Sequence, residues 1–186
     1  MKEKEVLRKK MKAKINSQDK SERRKKSIII QKKLFGQKEF LVSSCVMPYV
    51  SKGTGEVETG PIIKKALKMG KSVVLPVTLA KRRRIKPVLL RNLKQGLKKS
   101  TYGIYEPIET KSAKPIRKKE IDLVIVPGLA FDRKKNRLGR GQGYYDGFLK
   151  SLPKNTPKIG LGFRFQLFKK IPATKNDFSL NRIITN

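Results

Sequence analysis

"IDLVIVPGLAFDRKKNRLGRGQGYYDGFLK" (residues 121–150) decides how this chain is read. It opens with an apolar run from Ile121 to Pro127 whose β-branched residues, bounded by Pro and Gly, predict a strand buried on both faces. It closes with "YYDGFLK", which together with Ser151 and Leu152 predicts a helix. Between them Gly139, Gly141 and Gly143 alternate with Arg140 and Gln142, and Arg137 stands just upstream. A tight turn needs one or two glycines. Three at alternate positions, with arginines among them, predict a backbone that takes φ > 0 and turns successive N–H groups toward an anion. A helix starting near Gly143 adds its positive end, and Arg137 and Arg140 supply guanidinium forks for phosphoryl oxygens.

Working outward, similar apolar runs recur. "EFLVSSCVM" (residues 39–47) reads as a first strand, "SVVLPV" (72–77) as a second, "IKPVLLR" (85–91) as a third, "KIGLGF" (158–163) and "RIIT" (182–185) as the last two. Thr59-Gly60-Pro61 marks a helix start and Gly70 lies just past that helix's end. Upstream, residues 2–16 and a second segment running to about Phe35, capped at Ser17, read as a very basic helical arm over about residues 1–35. Strands alternating with helices predict an α/β fold with a mostly parallel, doubly wound sheet, in which ligands sit beyond the carboxyl ends of the strands. The glycine loop falls there. With 186 residues, one domain over 1–186 is expected.

The spacing of the loop also excludes. It lacks the Lys-Ser/Thr of a P-loop, and no register of "GRGQGYYDG" fits G-x-G-x-x-G, so dinucleotide binding is disfavoured. Asp146, one turn into the helix, is placed either to meet Mg²⁺ on bound phosphates or simply to favour the helix start. Asp132 in "AFDRKKN" is expected to cap or turn the chain.

Lys and Arg total 47 against 14 Asp and Glu, a formal charge of +33, which calls for an anionic partner without saying which. The single cysteine, Cys45, and the absence of histidine exclude a disulfide framework, a Cys/His zinc site and a histidine base. Cys45 is expected to be a core thiol. "AKRRRIK" (80–86) and "KSAKPIRKKE" (111–120) read as solvated connectors. Neither a signal-peptide core nor an apolar run long enough for a membrane span is present, so a cytoplasmic protein without membrane attachment is expected.

"VPGLAFDRKKNRLGRGQGYYDGFL" closely resembles the signature of the 5-formyltetrahydrofolate cyclo-ligase (methenyltetrahydrofolate synthetase) family. The resemblance extends over nearly the whole chain through "KEVLRKKMK", "GEVETGPIIKKAL", "GKSVVLPV", "YGIYEP", "IGLGF" and "NDFSLNRIIT". It implies a Rossmann-like, three-layer α/β/α enzyme that uses ATP and Mg²⁺ to convert 5-formyltetrahydrofolate into 5,10-methenyltetrahydrofolate, releasing ADP and phosphate. Carried over by residue, it implies that Lys4, Glu5, Val6, Leu7 and Arg8, with Arg137, Leu138, Gly139, Arg140, Gly141, Gln142, Gly143, Tyr144 and Tyr145, line ATP. The folate would meet Arg8, Val50, Glu56 and Tyr102 together with Arg140 to Tyr144, and Asp146 and Asp177 would hold magnesium. Two positions depart from the family pattern. Asn136 stands where glycine is frequent, and its tolerance of the left-handed conformation should preserve the turn; Asn176 replaces a frequent histidine.

The implied chemistry suits these residues. The formyl oxygen is a poor leaving group, and phosphorylation by ATP makes it a good one, after which the neighbouring amine closes the ring. Such a reaction asks for positioning and for cations around a loose transition state, the role expected of Arg137 and Arg140, and no histidine is needed. The cationic excess suits ATP and a polyglutamylated folate, or growth at high temperature. A monomer with small-molecule partners and no specific nucleic acid is expected. The rivals are a basic RNA-binding or ribosome-associated module, for which aromatic stacking residues are thin, and a sugar-phosphate isomerase or kinase using the same loop.

Overall fold

The structure is a computed structural model that describes residues 2–53, 55–90, 97–99, 105–107, 116–174 and 177–186. In chain order, helices α1 (Lys2–Asn16), α2 (Lys20–Phe35) and α3 (Lys38–Val42) precede strand β1 (Cys45–Met47) and helix α4 (Gly60–Lys68). The hairpin β2 (Ser72–Leu79) and β3 (Arg84–Leu90) follows, then the ribbon β4 (Leu97–Lys99) and β5 (Tyr105–Pro107), and then β6 (Leu123–Val126). A small hairpin, β7 (Ala130–Asp132) and β8 (Arg137–Leu138), leads through the glycine loop to α5 (Tyr144–Lys150). Strands β9 (Lys158–Leu161), β10 (Leu167–Phe168) and β11 (Arg182–Ile184) complete the order.

Six of the strands form one sheet in the order β11-β9-β6-β1-β2-β3, parallel except for the antiparallel pair β2 and β3. The expectation of a mostly parallel α/β sheet is met. Side chains alternate between its faces as the period of two requires. Val46, Val73, Leu75, Leu123 and Ile125 join one buried cluster with Ile30 and Leu34 of α2 and Ile62 and Ala66 of α4. Cys45, Met47, Val74, Val124 and Val126 join a second with Phe148 and Leu149 of α5. Helices therefore cover both faces, which is why these strands read as near-continuous apolar runs. A third cluster fastens Met11 and Ile15 of α1 to Leu129, Ala130, Leu138 and Ile171 beside the small sheet β10-β7-β8.

Three local expectations are corrected. Residues 39–47 do not form one strand: Lys38–Val42 is helical and only Cys45–Met47 pairs in the sheet. The reason is one-sided burial, since Phe40 is fully buried whereas Leu41 and Val42 face solvent. Asp19 rather than Ser17 caps α2, accepting from the N–H groups of Ser21 and Glu22 at 2.8 and 3.0 Å. These bonds, led by that of the Ser21 hydroxyl, bring its carboxyl down to about 2. In the β7–β8 turn the left-handed residue is Lys135 (φ 66°), not Asn136. Asn136 instead donates its main-chain and side-chain N–H groups to the buried Asp132 carboxylate, both at 3.0 Å, so Asp132 organises the turn as expected. "AKRRRIK" is the solvated connector expected, exposed at residues 80–84 and forming the turn and first residues of the β2–β3 hairpin.

Cys45 is buried, and burial followed by the nearby Asp122 and Glu120 charges pushes its thiol up to about 11. That is an inert core thiol, as expected. Among the described residues no helix is long and apolar enough to cross a membrane.

Candidate functional site

The sheet reverses its winding at β1, whose neighbours β2 and β6 are reached by connections leading to opposite sides. A crevice at such a switch point is where α/β sheets hold ligands. A cavity of about 180 Å³ lies there. Its walls come from the loop after β1 (Tyr49, Val50, Lys52, Glu56, Val57), the end of β2 (Pro76, Thr78), the loop after β6 (Pro127, Gly128, Leu129) and the glycine loop with the start of α5. Most of the wall is apolar, with charged groups concentrated where the glycine loop faces the β1 loop.

Two arginine–carboxylate pairs define that charged side, and they differ in kind. Arg137 is almost fully buried; its Nη2 donates to Asp146 Oδ1 at 2.7 Å, its Nη1 to the Pro127 carbonyl at 3.2 Å, and its guanidinium lies 5.7 Å from the Tyr145 ring. Its Nε is buried with no hydrogen-bond partner. Arg140 is 42% exposed and donates a single bond, from Nη2 to Glu56 Oε1 at 2.7 Å. Arg137 is thus fixed in a wall, whereas Arg140 hangs at the mouth on one carboxylate. The other oxygen of Glu56 accepts the Lys52 N–H at 3.1 Å, so Glu56 ties the β1 loop to the glycine loop across the crevice.

The glycines do the backbone work assigned to them, with one difference. Gly141 and Gly143 hold φ of 104° and 72°, whereas Gly139 does not adopt a positive φ. Gly139 is required for space instead, because a Cβ there would lie 2.8 Å from Arg137 Nη1. Gly141, Gln142 and Gly143 are exposed, while Leu138 is buried in the cluster with α1, so of residues 138–143 its side chain is the one turned into the core.

The basic arm reaches the same loop. Arg8 Nε donates to the Gly139 carbonyl at 3.1 Å and its Nη1 pairs with Glu5 at 3.0 Å. Lys4 pairs with Asp177, which also accepts from the main chain and hydroxyl of Thr174. Burial alone would raise the Asp177 carboxyl, but the Lys4 ammonium and Thr174 donors together hold it below the usual carboxylate range. Of the remaining arm residues, Leu7 packs beside the α1 cluster and Val6 is 67% exposed. At its far end α1 meets the β1 loop: Gln18 donates to the Gly55 carbonyl at 3.3 Å, and a Cβ at Gly55 would lie 2.4 Å from Ile15 Cγ2.

The structure therefore brings together Val50, Glu56, Arg137, Gly139 to Tyr145 and Asp146 around one crevice, with Arg8 bonded to its glycine loop; Leu138 packs into the core, and Lys4, Glu5, Val6, Leu7 and Asp177 are not among the lining residues. Tyr102 and Asn176 lie outside the described residues. Sequence reasoning missed Tyr49, Lys52 and Gln166. Tyr49 is buried, donates to the Val57 carbonyl at 3.1 Å, and its phenol is raised by burial first and by the Glu56 charge second. The Lys52 ammonium is pulled down by burial and then by Arg140, against the opposing pull of Glu56. Gln166 donates to the carbonyls of Gly128 and Leu129, fixing the floor of the crevice. The only sequence signal for Tyr49 and Lys52 was their place just after a central strand.

For magnesium, the donor set allows a limited fit. Magnesium takes one or two carboxylates and fills its octahedron with phosphate oxygens and water. Asp146 lines the cavity and spends one oxygen on Arg137, leaving the other available in character to a hard cation. Asp177 accepts three donors on Oδ2 and does not line the cavity, so it fits less well than Asp146. No cluster of three or more Asp, Glu or Cys suited to a metal occurs among the described residues.

A mostly parallel sheet with an exposed glycine loop and a half-exposed arginine at its switch point defines an α/β protein whose crevice combines apolar walls with a charged mouth. The chain belongs to the 5-formyltetrahydrofolate cyclo-ligase family, whose model matches residues 1–186. A probable 5-formyltetrahydrofolate cyclo-ligase of Caenorhabditis elegans is 32% identical over 97% of this chain and 91% of its own length. The 5-formyltetrahydrofolate cyclo-ligase of Mus musculus is 28% identical over 96% and 91% respectively. The NMR structure of Aquifex aeolicus 5,10-methenyltetrahydrofolate synthetase matches with a TM-score of 0.85 at 31% identity, covering 98% of this chain and 89% of that one. The Mycoplasma pneumoniae 5,10-methenyltetrahydrofolate synthetase structure, 22% identical with a TM-score of 0.76 over 97% of both chains, shares the fold. Membership in this ligase family does not favour the RNA-binding alternative.

Proposed function

We propose that this chain catalyses the ATP-dependent closure of 5-formyltetrahydrofolate to 5,10-methenyltetrahydrofolate, releasing ADP and phosphate. The observation that carries the reading is the crevice: an apolar cavity suited to a reduced pterin, closed on one side by exposed glycine backbone and the loosely held Arg140. In the proposed reaction the formyl oxygen attacks the terminal phosphorus and the bond to ADP breaks. The neighbouring amine nitrogen then bonds to the activated carbon, and phosphate leaves with the former formyl oxygen and the amine proton.

The residues divide this work. Main-chain N–H groups at Gly141 to Gly143 and the guanidinium of Arg140 bind the transferring phosphoryl, and Arg140 reaches it by leaving Glu56. Glu56, held by the Lys52 N–H, then offers its freed oxygen to N–H donors of the pterin. Arg137 positions the loop from beneath and holds Asp146 in place. Asp146 is the residue that would hold Mg²⁺, which when bound neutralises charge on phosphoryl oxygens. Arg8 and Lys4 place α1 against the loop and against Asp177, and of the arm residues Arg8, bonded to Gly139, is the one set to meet the nucleotide. Val50 contributes to the apolar wall for the pterin.

The test is direct. Protein mixed with Mg-ATP and 5-formyltetrahydrofolate should generate the methenyl chromophore together with one ADP per product. ATP hydrolysis without that chromophore, or a chromophore formed without ATP, refutes the reaction.

A further inference from the structure

The basic motif at residues 81–84 remains unused by this reaction, and the fold places it at the mouth of the same crevice. Thr78 and Ile85 are opposite one another in the β2–β3 hairpin and both line the cavity. The strands continue by one more pair, Leu79 with Arg84, before turning through Ala80 to Arg83. Lys81, Arg82, Arg83 and Arg84 are all exposed, and no carboxylate among the described residues pairs with any of them.

Ordinary explanations for charge fall short here. β3 is an edge strand, and cations on an edge discourage pairing with another sheet. Arg82 and Arg83, however, stand in the turn beyond the paired register, where there is no edge to guard. Arg83 also holds φ of 46°, a left-handed conformation that glycine or asparagine adopts at lower cost. An arginine kept in a position that favours glycine points to use of its charge. No aromatic residue occurs in 80–86, so a nucleic acid would find no stacking platform there.

We propose that the β2–β3 turn, Lys81 to Arg84, is the binding track for the carboxylate tail of the substrate, a run of glutamates leading out of the cavity over Thr78 and Ile85. The proposal rests on the folate reading of the crevice and adds to it the place where tail length is sensed.

The experiment measures equilibrium binding of 5-formyltetrahydrofolate carrying one or three glutamates at low ionic strength. It uses the wild-type chain, the double variant Arg82→Gln/Arg84→Gln, and Arg83→Gly. Exposed ion pairs each change affinity by about 1.5- to 5-fold, so the wild type should favour the longer tail by about 3-fold or more. Each charge removed should shrink that preference by a similar factor, while affinity for the monoglutamate changes less than about 2-fold; added salt should erode the preference too. Arg83→Gly removes a charge and relieves the left-handed backbone, so its melting temperature should not fall and misfolding is separated from lost recognition.

A preference that survives both variants, equal weakening of the two ligands, or a wild type indifferent to tail length overturns the track. Loss of single-stranded RNA retention with an unchanged tail preference overturns it in favour of nucleic acid. Turnover measured in parallel separates the two claims. A wild type that discriminates by tail length without forming methenyl product refutes the reaction and keeps the track, and one that binds neither folate refutes both.

Discussion

Replacing Arg137 and Arg140 separately by alanine should damage different properties, although both flank the same loop. Arg140 is 42% exposed with one bond to Glu56, and exposed ion pairs contribute about 0–1 kcal/mol. Its loss should therefore lower the melting temperature by no more than about 4 °C in a chain of this size. If it binds the transferring phosphoryl, its loss should reduce kcat by at least about 10², since cations in that role contribute ~10³ to 10⁵. Arg137 is only 3% exposed, with a bond to Asp146, a bond to the Pro127 carbonyl and a cation–π approach to the Tyr145 ring. Removing it opens a gap beneath Gly139 and leaves Asp146 unpaired. Because Asp146 is 25% exposed and water can reach it, the cost should lie near 2–3 kcal/mol, below that of a fully buried pair. That corresponds to roughly 4–12 °C in melting temperature. Thermal unfolding followed by circular dichroism, alongside single-turnover formation of the methenyl chromophore, reads both properties. Arg137→Lys should recover less than half of the stability, because an ammonium cannot serve Asp146 and Pro127 with a planar fork. Near-normal turnover in Arg140→Ala, or an Arg137→Ala protein that melts with the wild type, would refute this division of labour.

Three other outcomes follow from the geometry. Gly139→Ala should displace Arg137 and mimic part of its loss, whereas Gly143→Ala, with nothing within 4 Å of the added methyl, should show only a left-handed backbone cost of about 1–2 kcal/mol; paired melting curves compare them. The Asp177 carboxyl is held below its usual range by Lys4 and Thr174, so its contribution to docking α1 is complete above the unfolded value near 4 and is lost as pH falls through the lower folded value. Proteolysis within residues 2–16 should accordingly rise at acid pH, and Lys4→Met should show that exposure already at neutral pH. A thiol reagent at pH 8 should modify native Cys45 at least ~100-fold more slowly than the denatured chain, given a thiol at about 11, with absorbance of the released leaving group as the readout.

The glycine loop, the central strands and the helices flanking them were legible because each is a local pattern. Three alternating glycines, runs of Val and Ile, and Pro61 after Thr59 state their backbone requirements without help from the rest of the chain. The failures share a different cause. Phe40, Leu41 and Val42 look alike in sequence, and only the core decides that Phe40 alone is buried. Ser17 and Asp19 are both capable caps, and the selection depends on where α1 ends: Ser17 closes it by bonding to the Lys14 carbonyl at 3.2 Å. The Arg137–Asp146 and Arg140–Glu56 pairs span 9 and 84 positions, so no spacing rule announces them. Charge type was readable, but which arginine is buried in the wall and which is exposed at the mouth emerged only from the fold.

The placement of α1 has a consequence for how the chain comes together. Its anchor points at Gly139 and Asp177 lie 131 and 173 positions downstream, and its apolar stripe rests on residues nearly as distant. At ribosomal speeds of about 5–20 residues per second, docking on these anchors waits roughly 10 to 30 seconds after the helix is made. Until then the growing chain offers only the β1 loop, where Gly55 meets Ile15 and Gln18, so the helix is held at one end before the glycine loop exists to receive the other.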